Sequence, residues 1–102
     1  MYVLRRTVGT SISITATDAA MLVRLVGIDM LGVCALLEVS TNGSPPVQME
    51  IGPGERVELR SDVQMELLRL GYATHEGTPL RNAEFGFNAP RSTVAIKRTE
   101  CP

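Results

Sequence analysis

The stretch that decides the fold reads FGFNAPR at residues 85–91 and continues as VAIKR at residues 94–98. In the second part, alternation places Val94 and Ile96 on one face of a strand and the residues that follow each of them on the other. Pro90 lacks a backbone N–H and has a fixed φ, so the first strand is predicted to stop just before it. The stretch therefore indicates a strand, a turn, and a second strand that ends on two adjacent cations.

Seven other runs have the same strand character, and Gly, Pro, Asn and Ser residues separate them. They lie at residues 2–6, 11–14, 21–26, 33–39, 47–51, 56–59 and 64–70. The last of these runs also fits the helical period, and Gly71 is predicted to end it before a loop at residues 75–79. Short alternating runs with such turns throughout the chain predict an all-β fold.

Composition limits the class of protein. With 102 residues and 44% hydrophobic content, the chain is long enough for one small domain with a modest core. No apolar run reaches the ~18 residues that a membrane-spanning helix needs. Charge follows the first apolar residues, the reverse of a secretory signal, and Cys34 in an apolar stretch suits a reducing compartment. We therefore expect a cytoplasmic protein without a membrane partner.

Positive charge is concentrated at the two ends of the chain, although the net charge is only −1. Residues 1–17 carry two arginines and no acid, and residues 85–102 carry three cations and one acid. Nine of the ten cations are arginine, whose planar fork suits phosphates and base edges. Aromatic residues make up 4% of the chain, too few for a surface built on base stacking. The basic ends indicate nucleic-acid contact, and solvated strand-end charges are the alternative.

The sequence also repeats itself weakly. Residues 9–14 lie over residues 54–59, and residues 37–40 lie over residues 85–88, with apolar residues at matching places. Between these segments, three pairs share a spacing of 44 residues: Asp18 and Asp62, Met21 and Met65, and Gly27 and Gly71. Unrelated hairpins share some of this pattern by chance, but the recurrence of strands and turns in one order favours a duplication.

Two segments resemble the carbon storage regulator (CsrA) family of small bacterial RNA-binding translational regulators. Residues 1–10, MYVLRRTVGT, are similar to the family's first strand. Residues 85–91 and 94–98 are similar to its glycine-alanine-proline motif and last strand. The resemblance implies that residues 1–46 form a diverged N-terminal unit and that residues 47–102 form a C-terminal unit.

The resemblance also implies an architecture. In that family two chains of five strands interlock, and the first strand of one subunit lies beside the fifth strand of the other. Each such seam binds single-stranded RNA with a GGA core, usually in a hairpin loop. This chain would then be a CsrA-like small β-sheet or barrel domain, in which two units form a single-chain pseudo-dimer. Its competent seam would join the first strand of the chain to the last.

Six residues on these two strands are implied to bind RNA. They are Leu4, Arg5, Arg6, Ile96, Lys97 and Arg98. Arg6 and Arg98 are the first candidates, the two apolar residues would serve as platforms, and Arg5 and Lys97 would contact phosphates.

A second seam would use residues 47–51, which carry Glu50 and no cation. It is expected to be inactive because a carboxylate repels phosphate. Whether this run is the last strand of the first unit or the first strand of the second stays open.

The chain shows no pattern typical of an enzyme. His75 is the only histidine, lies in the expected loop, and has no nucleophile arranged with it. Cys34 and Cys101 are far apart and form no zinc pattern with it. We therefore expect no catalytic residues, no metal and no cofactor.

Two hypotheses of different classes follow. The first is an RNA-binding protein of post-transcriptional regulation, whose partner is an mRNA leader or a small RNA hairpin; the paired basic ends favour it. The second is a structural or protein-interaction module, such as a phage particle-assembly or decoration protein, that kept the CsrA-like fold and lost RNA binding. The overall acidity favours this second hypothesis. Salt dependence separates the two, because only phosphate contacts weaken steeply as salt rises.

Overall fold

Strands make up most of the protein. The computed structural model describes residues 1–29 and 34–99, without the side chains of Tyr72, Ala73, His75, Pro79 and Leu80. Within that part it contains nine β-strands and no helix. They are β1 (Tyr2–Thr7), β2 (Ser11–Ala16), β3 (Ala20–Ile28), β4 (Ala35–Thr41), β5 (Val47–Ile51), β6 (Arg56–Arg60), β7 (Val63–His75), β8 (Thr78–Asn88) and β9 (Val94–Thr99). The all-β prediction is confirmed.

The strands form two antiparallel sheets. One sheet has the order β1-β8-β7-β6, and the other has the order β5-β4-β3-β2-β9. Burial alternates along most strands, because successive side chains of a strand point to opposite faces. The buried apolar residues of both sheets form one cluster, so the two sheets pack face to face.

The FGF motif supplies the centre of this core. Phe85 and Phe87 on β8 are each 1% exposed. Phe85 is flanked in its sheet by Leu4 of β1 and Leu67 of β7, which are buried as well. The opposite sheet contributes its own buried aliphatic residues to the same cluster, among them Ile12, Ile14, Leu25, Leu37 and Ile51.

The hairpin of β7 and β8 is longer than the sequence pattern predicts. β7 does not end at Gly71 but continues to His75, and β8 begins at Thr78, so the predicted loop at residues 75–79 is wrong. Only Glu76 and Gly77 form the turn, and both have positive φ, 51° and 80°. Positive φ at both central residues is the type I′ geometry, whose twist matches that of the flanking strands. The two strands therefore stay paired up to the turn.

The two sheets have matching strand orders, and each sheet contains strands from both halves of the chain. The order β1-β8-β7-β6 in one sheet corresponds to β5-β4-β3-β2 in the other. In each case the first strand of one half pairs with the fourth strand of the other half, β1 with β8 and β5 with β4. The halves of the chain are therefore interlocked, and neither sheet is formed by one half alone.

Equivalent hydrogen bonds fix the correspondence residue by residue. The N–H of Gly9 donates to the carbonyl of Leu25 at 2.8 Å, and the N–H of Gly54 donates to the carbonyl of Leu67 at 2.7 Å. Both glycines have positive φ, 94° and 85°, and a register shift follows each leucine. Leu67 is thus the counterpart of Leu25.

This correspondence corrects the constant spacing of 44 residues. Leu25 and Leu67 are 42 residues apart, so the counterpart of Met65 in the repeat is Val23 and not Met21. The reason is that more residues lie between Ile12 and its partner Val23 in the β2–β3 hairpin than between Val57 and its partner Met65 in the β6–β7 hairpin. An error of two residues keeps every side chain on the correct face of the strand, which is why the apolar pattern did not reveal it.

The same reasoning places β5. Leu25 pairs with Leu37, which pairs with Met49 of β5, whereas Leu67 pairs with Phe85, which pairs with Leu4 of β1. The run at residues 47–51 therefore takes the position of a first strand. In this register Glu50 is the counterpart of Arg5, and Ile51 is the counterpart of Arg6.

β9 has no counterpart among the described strands. It pairs with β2 and forms the edge of its sheet. The equivalent position beside β6 is not filled by a described strand, so β6 is an edge strand as well. The two sheets therefore differ at this edge, because β9 lies beside β2 and no described strand lies beside β6.

Candidate nucleic-acid interface

β1 and β9 are edge strands of different sheets that lie on the same side of the protein. They are not hydrogen-bonded neighbours, because β1 pairs with β8 and β9 pairs with β2. The seam predicted between these two strands is therefore not a backbone-paired one, and its role in RNA binding stays a prediction. The physical reason is that Val94 and Ile96 of β9 bury their side chains against the core next to β2. The two strands still meet across the rim of the sandwich, where Arg6 Nη2 donates to the carbonyl of Thr99 at 3.1 Å.

Two grooves follow this rim. The first has a volume of about 410 Å³ and runs from the start of β1 to β9. Its lining consists of Met1, Tyr2, Phe87, Asn88, Ala89, Arg91, Val94 and Ile96. The second has a volume of about 420 Å³ and lies near the end of β1. Its lining consists of Val3, Arg5, Arg6, Thr7, Asn82, Glu84 and Arg98. Each groove contains residues of both edge strands.

Gly86 shapes the floor beside the first groove. It lies on β8 between the two phenylalanines, and the side chain of Met1 occupies the space that a Cβ at this position would need. Met1 itself is 59% exposed and lines the groove. The glycine of the FGF motif therefore allows the N-terminal residue to pack over the sheet at this edge.

Leu4 and Arg6 point toward the interior. Leu4 is 3% exposed and belongs to the core. Its predicted role as an apolar platform stays a prediction. Arg6 is 7% exposed, and its guanidinium is anchored at the rim by Thr99. The cause is the period of two along β1, which gives both residues the same inward direction. Arg6 thus fixes the end of β9 relative to β1.

Arg5 lies on the outer face of β1 and is exposed. Its Nη2 contacts Glu84 Oε2 at 3.2 Å, and Arg69 Nη2 lies 3.6 Å from the same oxygen. Exposed ion pairs of this kind contribute only about 0–1 kcal/mol. The pair therefore adds little stability, and Glu84 places one carboxylate in the second groove beside Arg5.

The cations of β9 and of the turn before it are open to solvent. Lys97 and Arg98 are exposed, and Ile96 is half-buried at the edge of the core, where it lines the first groove. Arg91 was not among the predicted site residues, but it is exposed and lines the same groove. Its position directly after Pro90, at the turn between the two sheets, was the available signal.

The opposite side of the protein has the reverse charge. There the edge strands are β5 and β6, and the exposed acids Glu50, Glu55 and Glu58 lie on them or on the turn between them. The exposed cation Arg56 is paired with Glu66 at 2.9 Å. The two sides of the sandwich are therefore polarised, with cations at the β1/β9 rim and acids at the β5/β6 rim.

Cys34 lies near the acidic side, between two carboxylates. Its Sγ donates to Asp29 Oδ2 at 3.2 Å and lies 3.9 Å from Glu50 Oε2. The hydrogen bond to Asp29, followed by burial and the nearby negative charges, raises the pKa of the Cys34 thiol to about 11. Because the thiolate is the nucleophile, this thiol is poorly reactive at neutral pH.

We expect Asp29→Asn to make Cys34 at least about tenfold more reactive toward iodoacetamide at pH 8, since one pKa unit changes the thiolate fraction tenfold below the pKa. The measurement is the alkylation rate in a Cys101→Ser background. Glu50→Gln is the matched control and should have a smaller effect, because Asp29 is the larger cause of the shift. An alkylation pKa near 8.5 in the parent would contradict the expectation.

No group of His, Cys, Asp and Glu residues suited to hold a metal ion occurs within residues 1–29 and 34–99. The described part of the chain also has no helix that is long and apolar enough to cross a membrane. The side chain of His75 lies outside the described residues, although its backbone is part of β7.

Comparison of the chain with protein-family models, curated proteins and solved structures gave no match. The resemblance to the carbon storage regulators therefore depends on the quoted motifs and stays a hypothesis.

Proposed function

We propose that this protein binds single-stranded RNA of the GGA hairpin-loop type at the β1/β9 rim and acts in post-transcriptional regulation in the cytoplasm. The observation that carries the proposal is the meeting of two edge strands at a groove-lined rim. Four exposed cations surround these grooves or follow them along β9: Arg5, Arg91, Lys97 and Arg98. The opposite rim has no such set among its described residues.

The rim offers the chemistry that unpaired bases need. β1 and β9 each have one side without a described neighbouring strand, and edge strands present backbone N–H and C=O groups to a ligand. Arginine forks recognise phosphates and the O6/N7 edge of guanine. Loop nucleotides are favoured over paired ones, because only splayed bases expose these edges. Recognition without aromatic stacking is consistent with the few aromatic residues of the chain.

The proposed architecture is a CsrA-like single-chain pseudo-dimer of units 1–46 and 47–102. The matching strand orders of the two sheets and the exchange of β1 and β5 between the halves support it. One RNA site per chain is proposed, for two reasons. Glu50 and Ile51 stand where the competent rim has Arg5 and Arg6, and no described strand takes the place of β9 beside β6.

The test is a titration of the intact protein with a labelled hairpin that carries GGA in its loop, followed by fluorescence anisotropy. A hairpin with the same stem and CCU in the loop is the control. We expect one-to-one binding to the GGA hairpin and at least tenfold weaker binding to the control. Equal affinity for both loops, or no binding to either, would contradict the proposal.

Salt dependence provides a second test of the same site. If three or four phosphates are neutralised, a plot of log K against log salt concentration should have a slope of about −2 to −3, since each contact to a single strand contributes about −0.7. The measurement is the anisotropy titration repeated at salt concentrations from about 50 to about 300 mM, a range over which the screening of exposed charges increases strongly. A slope near zero would exclude binding through phosphates.

A protein-interaction module for particle assembly or decoration is the second candidate. The observation that favours it is the exposed apolar surface at the start of β1, where Met1, Tyr2 and Val3 are 59%, 42% and 45% exposed. A partner that adds a strand or covers this patch would bind with little response to salt. The salt series therefore separates the two candidates.

A further inference from the structure

The β6 edge is incompletely covered in comparison with its counterpart β2. Ile12 and Ile14 of β2 are each 1% exposed, and β9 lies directly beside them. Their counterparts Val57 and Leu59 of β6 pack against the same core but are only half-buried. The difference in burial coincides with the absence of a described strand beside β6. A strand added there would bury Val57 and Leu59, as β9 buries Ile12 and Ile14 in the other sheet.

The charge of the β6 edge defines what kind of strand fits. Arg56 is paired with Glu66 at 2.9 Å, and Arg60 is paired with Asp18 at 3.1 Å and with Asp62 at 2.5 Å. Glu58 lies between these two arginines on the strand and is exposed. With both arginines neutralised by acids, the edge presents net negative charge to a neighbour.

We propose that β6 binds an extended segment of a partner protein that has apolar residues at alternate positions and Lys or Arg between them. The segment adds to the sheet antiparallel to β6, as β9 adds to β2. Backbone hydrogen bonds along the edge give affinity, and the alternate side chains give specificity. Its apolar residues lie on Val57 and Leu59, and its cations face Glu58.

A second copy of this chain fits the edge less well. In the antiparallel register that pairs all five residues of two β6 strands, Glu58 would face Glu58 of the other copy. Arg56 would face Arg60 in the same register. Like charges directly opposite each other destabilise a strand pair. The occupant with complementary charge is therefore a basic segment of another protein.

The experiment uses the full chain, labelled with ¹⁵N, and an acetylated peptide with the sequence of residues 92–99. This peptide is the strand that covers β2, with Val94 and Ile96 at alternate positions. In the register by which β9 pairs with β2, its Lys97 would face Glu58. We expect saturable shifts and slowed amide exchange at residues 56–60. A peptide with Glu at the position of Lys97 should bind at least about fivefold more weakly, since its favourable cross-strand pair with Glu58 becomes repulsive.

Matched variants test the role of charge. Glu58→Lys should weaken the basic peptide about fivefold, and Glu58→Gln should have a smaller effect. Glu76→Lys makes the same change of charge in the exposed β7–β8 turn, roughly 30 Å further along the hairpin, and should leave the affinity unchanged. Retention of the amide spectrum shows that each variant is folded.

Three results would overturn the proposal. Absence of saturable shifts at β6 would show that the edge is closed to peptides. Loss of the β2–β9 contacts on addition of the peptide would show replacement of β9 instead. Concentration-dependent dimerisation with shifts at β6, in the absence of peptide, would assign the edge to a second copy of the chain.

Discussion

Arg98→Ala is expected to weaken binding of the GGA hairpin by about 10- to 100-fold, because a hydrogen bond to a charged group contributes about 1.5–3 kcal/mol. Arg98 is exposed on β9 and lines the second groove together with Arg5. Its removal takes a guanidinium from the centre of the proposed site without touching the core. Anisotropy titrations of the variant and the parent under the same salt conditions measure the effect.

The control for this prediction comes from the opposite rim. Arg56→Ala removes the same charge from an exposed strand position, and β6 lies at the other edge of its sheet from β1. We expect this variant to bind the hairpin within about twofold of the parent, since only long-range electrostatics change. Equal losses in both variants would mean that RNA binds by net charge alone, and the site would then not be the β1/β9 rim.

Phe85→Ala is expected to lower the free energy of unfolding by about 3–5 kcal/mol, the range for truncating a buried aromatic residue to alanine. Phe85 is 1% exposed and lies between Leu4 and Leu67, so the cavity would open at the junction of the two halves of the chain. A domain of this size has a total stability of roughly 5–15 kcal/mol, so the loss is a large fraction of it. Urea unfolding followed by circular dichroism measures the change.

A surface truncation provides the comparison. Val47→Ala removes an apolar side chain that is 63% exposed on β5, and it should change the free energy of unfolding by less than about 0.5 kcal/mol. If Phe85→Ala were as mild as Val47→Ala, the FGF motif would not be the centre of the core.

Local sequence pattern was sufficient to locate the nine strands that occur within residues 1–29 and 34–99. Alternation and turn residues are local properties, and they specify a strand without reference to its neighbours. The β7–β8 hairpin was the exception, because Gly71 and Pro79 suggested breaks inside strands that are continuous. Its turn has Glu76 before Gly77, whereas Asn or Asp before Gly is the usual sequence pattern of a type I′ turn.

Strand pairing and the orientation of the site residues were not accessible in the same way. Which strands become neighbours depends on packing between segments that are distant in the sequence. The sequence predicted that β1 and β9 lie side by side, but it did not predict that β1 pairs with β8 and that β9 pairs with β2. Alternation correctly put Leu4 and Arg6 on one face of β1. It did not indicate that this face is the buried one, and so the exposed Arg5 was ranked below Arg6.

The unmatched strand β9 has a consequence for how the protein would act on a long RNA. A reader with two identical sites can hold two loops of one transcript, and the second contact gains from a high effective concentration. If this protein has the single competent rim proposed above, it is monovalent, so it would gain no avidity and could not bridge two loops. Its occupancy of each loop would follow a simple saturation curve. On a transcript that a bivalent protein also binds, it would occupy single loops and so prevent the bivalent protein from connecting them.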